Sequence, residues 1–246
     1  MPTTLPGAVP ESYATTRASL HRVAAHVLAR RRHAVTGRFG LRVTPGGFGT
    51  PLFGDPEHEE VLRVSGATLV REHRGDGVHT DVVALDGASL ASLADAVGVV
   101  LDPGFSVGTD TPDLGDVDAP LSVSADAVGV MADFLLVGAA ALDRVLAARG
   151  ADTSPNVAQI WPEHFDLGLD VSGGGSRVNL GASVGDDHHA DPYVYVGPWG
   201  SDRPGDPDFW NVGFGALLGY EAIAAAPDPV AAVAAFMFRG LDLAGS

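Results

Sequence analysis

The sequence predicts an α+β protein in which an antiparallel sheet is packed against helices. Two observations support this fold class. Apolar residues recur at steps of three and four in separate stretches, the spacing of one helical face. Between these stretches lie glycine-bounded segments rich in β-branched residues, which are typical of strands. With 246 residues, 46% of them hydrophobic, the chain can bury a core in one large domain or in two small ones.

The first half begins with an amphipathic helix. Tyr13, Thr16 and Leu20 share one face of a helix that we predict from Ser12 to His33. Four strand candidates and a short helix follow, and the turn Gly75-Asp76-Gly77 is suited to join the last two strands as a hairpin. The strands are predicted at 38–44, 60–64, 67–73 and 78–85, and the helix at 88–97.

Residues 44–51, Thr-Pro-Gly-Gly-Phe-Gly-Thr-Pro, interrupt the strand pattern. Their glycine and proline content indicates either a sharp bend or a loop that contacts a substrate.

Residues 102–120 are rich in Asp, Gly, Pro and Thr and lack apolar periodicity, so they are predicted to be an acidic surface connection. Four aspartates could instead form a calcium loop, although their spacing departs from the regular calcium-binding pattern. These are Asp110, Asp113, Asp116 and Asp118.

The second half repeats the order helix, strands, helix. We predict a long helix at 125–149, strands at 159–171, 177–184 and 193–198, and a final helix that Asp228 caps and Gly240 ends. The predicted organisation is therefore an N-terminal α+β half at 1–101, the connection at 102–120 and a C-terminal α+β half at 121–246. The halves could be similar lobes or parts of one compact domain.

Missing residue types exclude several chemistries. The chain has no cysteine, and all 15 of its basic residues are arginine. A Schiff base to pyridoxal phosphate, an iron–sulfur cluster and a disulfide scaffold are therefore excluded. With 31 acidic residues and a net charge of −16, the surface repels nucleic acid and anionic lipid. The lysine-free, acidic composition fits a GC-rich bacterial gene or adaptation to high salt.

No targeting or membrane segment is visible in the sequence. Residues 1–10 lack a basic region followed by an apolar run, and the apolar stretch 127–142 contains Asp133 and is too short to span a bilayer. We therefore expect a cytoplasmic protein without a membrane partner.

Two polar clusters are the candidates for chemistry. Trp161-Pro-Glu-His-Phe-Asp166 lies in a predicted strand, and Gly185-Asp-Asp-His-His-Ala-Asp191 follows the next strand after the turn 172–176. If Val171 pairs with Arg177, both clusters meet at one end of the hairpin. Nitrogen and oxygen ligands of this kind suit zinc, manganese or iron(II), with Glu163 as a general base. The predicted ligands are His164, Asp166, Asp187, His188 and His189.

Two alternatives remain open at this stage. Tyr193, Tyr195 and Trp199, together with Arg177, could line a metal-free pocket for a small molecule or a surface for assembly. Ser183 near Asp187 and His188 could serve as a hydrolase nucleophile, although no nucleophile-elbow glycine pattern surrounds it. The sequence decides neither between enzyme and binding protein nor on the oligomeric state.

The chain resembles an uncharacterised family of hypothetical actinobacterial proteins. The resemblance lies in the run at 44–51, in Trp-Pro-Glu-His-Phe-Asp at 161–166 and in Gly-Asp-Asp-His-His at 185–189. The resemblance implies an actinobacterial origin. Because that family has no assigned activity, it assigns no catalytic role to any residue of this chain.

Overall fold

A computed structural model describes residues 4–149, 153–173 and 176–245 of the protein. It contains two five-stranded sheets together with several helices. The strand pairs whose registers are known are antiparallel. This confirms the predicted α+β class.

The chain forms two compact units, each assembled from separate stretches. Unit 1 comprises Met1–Ala8, Asp133–Gln159 and Asp166–Ser246, and unit 2 comprises Val9–Ala132 and Ile160–Phe165. The division of the chain into an N-terminal half at 1–101 and a C-terminal half at 121–246 stays a prediction.

Unit 2 begins with a continuous helical stretch of three parts. α1 (Tyr13–Val23) leads into a π-helical segment (Ala24–Ala29), and α2 (Arg30–Thr36) ends at Gly37 in the left-handed conformation with a φ of 70°. All six residues of the π-helical segment are buried. A π-helix is rare and is often found at functional positions, and the apolar periodicity of the sequence gave no sign of it.

The first sheet lies in unit 2 and is an antiparallel meander. Its strands are β1 (Arg42–Thr44), β2 (Gly47–Gly49), β3 (Glu60–Ser65), β4 (Thr68–Arg74) and β5 (Val78–Ala84). The run at 44–51 contains a sharp turn, because Thr44 pairs with Gly47 and Gly46 has a φ of 76°. β4 and β5 form the predicted hairpin, and the short helix α3 (Leu90–Val97) follows.

The acidic connection at 102–120 belongs to unit 2 and contains neither helix nor strand. Two side chains of the helical stretch hold it. Arg22 donates to the carbonyl oxygens of Leu114 and Asp116, and His26 Nε2 lies 2.7 Å from the carbonyl oxygen of Pro112. Burial lowers the pKa of His26, so the neutral imidazole donates this bond.

The helix α4 (Ala125–Arg149) contributes residues to both units, and the strand β6 (Gln159–Trp161) follows it. Unit 1 then contains β7 (Asp166–Gly173), β8 (Ser176–Ser183), β9 (Tyr193–Pro198) and β10 (Ala216–Gly219). The strand order of the second sheet is β10-β9-β8-β7-β6. The helices α5 (Tyr220–Ala224) and α6 (Pro229–Ala244) complete it. Asp228 caps α6 as predicted, its side chain accepting the N–H of Ala231.

One face of the unit 1 sheet is apolar and packs against helices. An added Cβ at Gly138 of α4 would lie 2.5 Å from the Cβ of Ala182, and one at Gly240 of α6 would lie 2.6 Å from Val196 Cγ1. Glycine at these points therefore lets both helices approach the sheet closely. Because this face is filled by helices, the polar residues of the same strands share the opposite face.

Three element predictions were wrong. The strand predicted at 159–171 is broken at 162–165, where Phe165 has a φ of 54°. The final helix does not end at Gly240, which lies inside α6. The hairpin register is shifted by one residue, since Val171 pairs with Val178 and not with Arg177.

One helix in the described part of the chain, Ala125–Arg149, is long and apolar enough to cross a membrane. Within its most apolar window 67% is buried inside the protein, which is the behaviour of the core helix of a soluble protein. The finer assignment to the cytoplasm stays a prediction.

Candidate functional site

The polar face of the unit 1 sheet gathers side chains from three neighbouring strands. Because alternate residues of a strand share a face, the registers assign the members of this face directly. Asp166 lies opposite Ser183, which in turn lies opposite Tyr193, and the remaining rows follow along the strands. Those rows contain Gly168, Gly181 and Tyr195, then Asp170, Asn179 and Gly197, then Arg177 and Trp199.

Tyr195 crosses the middle strand to reach a carboxylate. Its hydroxyl donates to Asp166 Oδ2 over 2.5 Å, although β8 lies between the two residues. This path is open because the residue opposite Tyr195 is Gly181. Burial, and then the charge of Asp166, raise the pKa of Tyr195 well above its usual value, so the phenol keeps its proton.

Tyr193 makes the equivalent contact at the end of the sheet. Its hydroxyl donates to Asp186 Oδ2 over 2.5 Å, and burial followed by this bond raises its pKa. Phe214 packs against both tyrosines, with ring centroids 6.5 Å from Tyr193 and 6.3 Å from Tyr195. The result is an aromatic cluster with a carboxylate behind each phenol.

The Gly185–His189 turn is held by Asp186. One oxygen of this carboxylate accepts the backbone N–H groups of His188 and His189, while the other accepts from Tyr193. His188 is exposed and packs edge-on against Phe214, and His189 packs edge-on against Tyr193. Asp187 is exposed. These contacts give the turn a structural role within unit 1.

A second polar group lies at the other end of the same face. Arg177 forms an ion pair with Asp170, and its guanidinium carbon lies 3.9 Å from the centroid of the Trp199 ring. Trp199 Nε1 donates to Asn179 Oδ1 over 3.0 Å. Asp170 is buried, and within the described part of the chain its Oδ1 has no hydrogen-bond partner. We call Asp170, Arg177, Asn179 and Trp199 the Trp199 patch.

Glu163 and His164 belong to unit 2, in the turn between β6 and β7. The turn is closed by the N–H of Phe165 on the carbonyl oxygen of Trp161, at 2.7 Å. His21 Nε2 lies 3.0 Å from the carbonyl oxygen of Pro162 and 3.1 Å from that of Glu163. Burial lowers the pKa of His21 to about 4, so the neutral ring shares its N–H between these oxygens.

The left-handed conformation of Phe165 is held by packing. Its ring stacks on His21 at 5.3 Å and meets Phe48 edge-on at 4.9 Å. A bulky residue rarely adopts a positive φ, and the surrounding contacts offset the strain. The turn leaves His164 exposed, where Nδ1 lies 3.0 Å from Asp110 Oδ2, while Glu163 is buried beside Gly108.

The predicted metal ligands thus have other neighbours within their own units. His164 pairs with Asp110, and Asp166 accepts from Tyr195. Residues 187–189 belong to the turn whose backbone N–H groups Asp186 accepts. Among the residues that the structure describes, no group of three or more His, Asp or Glu side chains is arranged to hold a metal ion. The metal site and the role of Glu163 as a base stay predictions.

The remaining alternatives can also be located. Asp116 Oδ1 accepts the N–H of Asp118, a local turn contact inside the acidic connection. Ser183 is buried, and its Oγ accepts the N–H of Gly185. Arg177, Tyr193, Tyr195 and Trp199, proposed from the sequence as ligand-binding residues, lie on one face of one sheet.

Sequence reasoning gave no role to three residues that lie on or beside this face: Asp170, Asp186 and Phe214. A signal existed for Asp186, since an aspartate directly after a glycine favours a turn in which its side chain caps the backbone. Asp170 gave no local signal, because its partner Arg177 is recognised only once the hairpin register is known.

Comparisons with protein-family models, with curated proteins and with solved structures find no match. The resemblance to actinobacterial proteins therefore stays a prediction.

Proposed function

We propose that unit 1 is a metal-free binding module for a small, neutral, polyhydroxylated molecule of the sugar type, and that the ligand binds at the Trp199 patch. The observation that carries this proposal is Asp170. Its carboxylate is 7% exposed, one oxygen is paired with Arg177, and the other has no hydrogen-bond partner in the described part of the chain. An unsatisfied buried acceptor costs about 1–3 kcal/mol. Because Asp170 Oδ1 is closed to solvent in the free protein, a ligand hydroxyl reaches it only when the side chains of the patch move aside, and the new bond would then recover that cost.

The charges of the patch favour a neutral ligand. Asp170 and Arg177 form an ion pair, so together they carry no net charge. An organic cation would lie beside the guanidinium of Arg177, and an anion would lie beside Asp170 on a chain of net charge −16. Like charges in close contact are destabilising, whereas a hydroxyl can both donate to a carboxylate and accept from a guanidinium.

The shape of the patch suits a flat ligand with one apolar side. Trp199 is 61% exposed, which is unusual for so large an aromatic residue. Gly197 lies between Trp199 and Tyr195 on the same strand face, so no side chain stands between the two rings. The carbon–hydrogen face of a sugar ring can pack on the indole while its hydroxyls bind Asp170 and Asn179.

The proposal is tested by titrating a panel of monosaccharides and inositol into the protein and following tryptophan fluorescence and calorimetric heat. We expect saturable binding that Trp199→Ala and Asp170→Asn each weaken at least about tenfold, the equivalent of 1.4 kcal/mol. Asp187→Asn is the matched control, because this exposed carboxylate lies outside the patch. Binding that survives both patch variants, or binding only of amines or carboxylates, would overturn the proposal.

Elemental analysis of protein purified without chelator distinguishes the metal hypothesis from the metal-free proposal. Near-stoichiometric zinc, manganese or iron that disappears in a His164→Ala, His188→Ala double variant would support metal binding and contradict the metal-free proposal. In the same samples, sugar binding that is unchanged by the double variant would support the Trp199 patch.

A further inference from the structure

The outer strand of the first sheet, β5, is exposed in an unusual way. It ends the strand order of its sheet, and its residues from Val78 to Val82 are all exposed. Val78 is 75% exposed and Val82 is 61% exposed. An edge strand of this length presents unpaired backbone N–H and C=O groups, and proteins usually protect such edges with lysine, proline or a bulge. Residues 78–82 of β5 contain neither lysine nor proline, and Asp81 is their one fully charged side chain.

The sequence of this edge is complementary to itself. We propose that β5 pairs antiparallel with β5 of a second copy of the chain, with Thr80 opposite Thr80, to form a two-fold symmetric dimer through a continuous ten-stranded sheet. In this register Val78 lies opposite Val82 of the second copy, and His79 lies opposite Asp81. Apolar and imidazole–carboxylate pairs directly opposite each other stabilise antiparallel strands.

Symmetry and side-chain pairing together disfavour the neighbouring registers. A two-fold axis perpendicular to the sheet keeps equivalent residues on the same face, so one residue of β5 must lie opposite its own equivalent in the second copy. The neighbouring registers are therefore those centred one residue before or after Thr80. One step in one direction places Asp81 opposite Asp81, where like charges repel. One step in the other direction places His79 opposite His79 and moves Val82 opposite Asp76, which lies in the turn before β5 of the second copy. The register centred on Thr80 is the one that matches all five positions.

Within one chain, rows of like side chains on β4 and β5 end at this edge. On one face, Val82 lies opposite the buried Val70 of β4, so Val78 of the second copy would extend an apolar row. On the other face, His73 Nε2 lies 3.1 Å from Asp81 Oδ2, and the rings of His73 and His79 stack at 5.3 Å. His79 Nε2 also lies 3.1 Å from Asp76 Oδ1 of its own chain. An added His79 beside Asp81 continues that row of imidazole and carboxylate groups.

Cysteine cross-linking in this cysteine-free chain tests the register directly. Residues directly opposite in an antiparallel pair have Cα atoms about 4.5–5.5 Å apart, within the range that a disulfide spans. Under mild oxidation, Thr80→Cys should form a covalent dimer at least about tenfold faster than Val78→Cys or Val82→Cys, whose equivalent residues lie well beyond disulfide reach in this register. Val100→Cys, at a position 78% exposed outside β5, measures random collision.

Sedimentation of the unmodified protein across micromolar to millimolar concentration is the second measurement. We expect a reversible monomer–dimer equilibrium that His79→Asp weakens and that the double change His79→Asp, Asp81→His restores, because the exchanged pair still meets across the axis. Equal cross-linking rates at the four positions, or a monomer at every concentration, would overturn the proposal. Neither result depends on ligand binding by unit 1.

Discussion

Gly181→Ala should be the most informative single substitution in the aromatic face of unit 1. An added Cβ would lie 2.3 Å from Cζ and 2.4 Å from the hydroxyl oxygen of Tyr195, far inside van der Waals contact. The tyrosine ring cannot turn away freely, because Phe214 packs against it and Asp166 accepts its hydroxyl. The substitution therefore forces the ring off its carboxylate.

The expected magnitude follows from two losses. A hydrogen bond to a charged group contributes about 1.5–3 kcal/mol, and overpacking a filled site costs about 1–3 kcal/mol. Together they predict that Gly181→Ala lowers the free energy of unfolding by about 3–5 kcal/mol. Urea denaturation followed by far-UV circular dichroism measures this loss, and near-UV dichroism reports the altered tyrosine environment.

Gly129→Ala is the matched control. Gly129 lies exposed within α4, and an added Cβ there meets nothing within 4 Å. Alanine in a helix interior should raise stability by about 0.5–1 kcal/mol. If Gly181→Ala costs less than about 1 kcal/mol, or costs the same in a Tyr195→Ala background, then the ring is not held as described and the reasoning is wrong.

Three further predictions concern other parts of the fold. Glu60 is buried between two arginine side chains, so Glu60→Ala should lower the free energy of unfolding by about 3–5 kcal/mol, as read from a guanidinium melt. The pKa of His21 falls from 6.5 to about 4 on folding, so between these pH values the unfolded chain binds more protons than the folded one. The free energy of unfolding should therefore fall by about 3 kcal/mol as the pH drops through this window. His21→Gln should flatten that part of a curve of unfolding free energy against pH. Gly240→Ala should lower the thermal unfolding midpoint, because its Cβ would meet Val196 at 2.6 Å, and a companion Val196→Ala change should recover part of the loss.

Local signals allowed most of the elements to be predicted. Asp228 and Pro229 identified the start of α6, because capping depends on residues next to each other in sequence. The hairpin register was missed because the turn Ser172-Gly-Gly-Gly-Ser176 suits several loop lengths equally. β7 continues to Gly173 and β8 begins at Ser176, so the connection is shorter than the five residues expected.

The candidate site could be predicted only in part, since its contacts join distant residues. Tyr193, Tyr195 and Trp199 share a face because strand alternation is a local rule, whereas Arg177 joins them through the register of β8 with β9. Phe165 gave no sign of its positive φ, which depends on packing against His21 and Phe48 far earlier in the chain. With that turn in place, His164 leaves the strand, and the predicted alternation of His164 with Asp166 is lost.

Unit 2 is built from two stretches that are separated in sequence, and this constrains how the chain can fold during synthesis. A ribosome delivers residues 9–132 well before 160–165, yet Ile160 supplies the bridge partner of Leu41, and Phe165 covers Phe48. Until that short segment emerges, the nascent unit has an open edge and an uncovered aromatic side chain, which are features that promote aggregation. Release of a truncated chain ending at 132 should therefore yield an insoluble fragment, and any recombinant dissection of this protein must supply 160–165 by a designed linker.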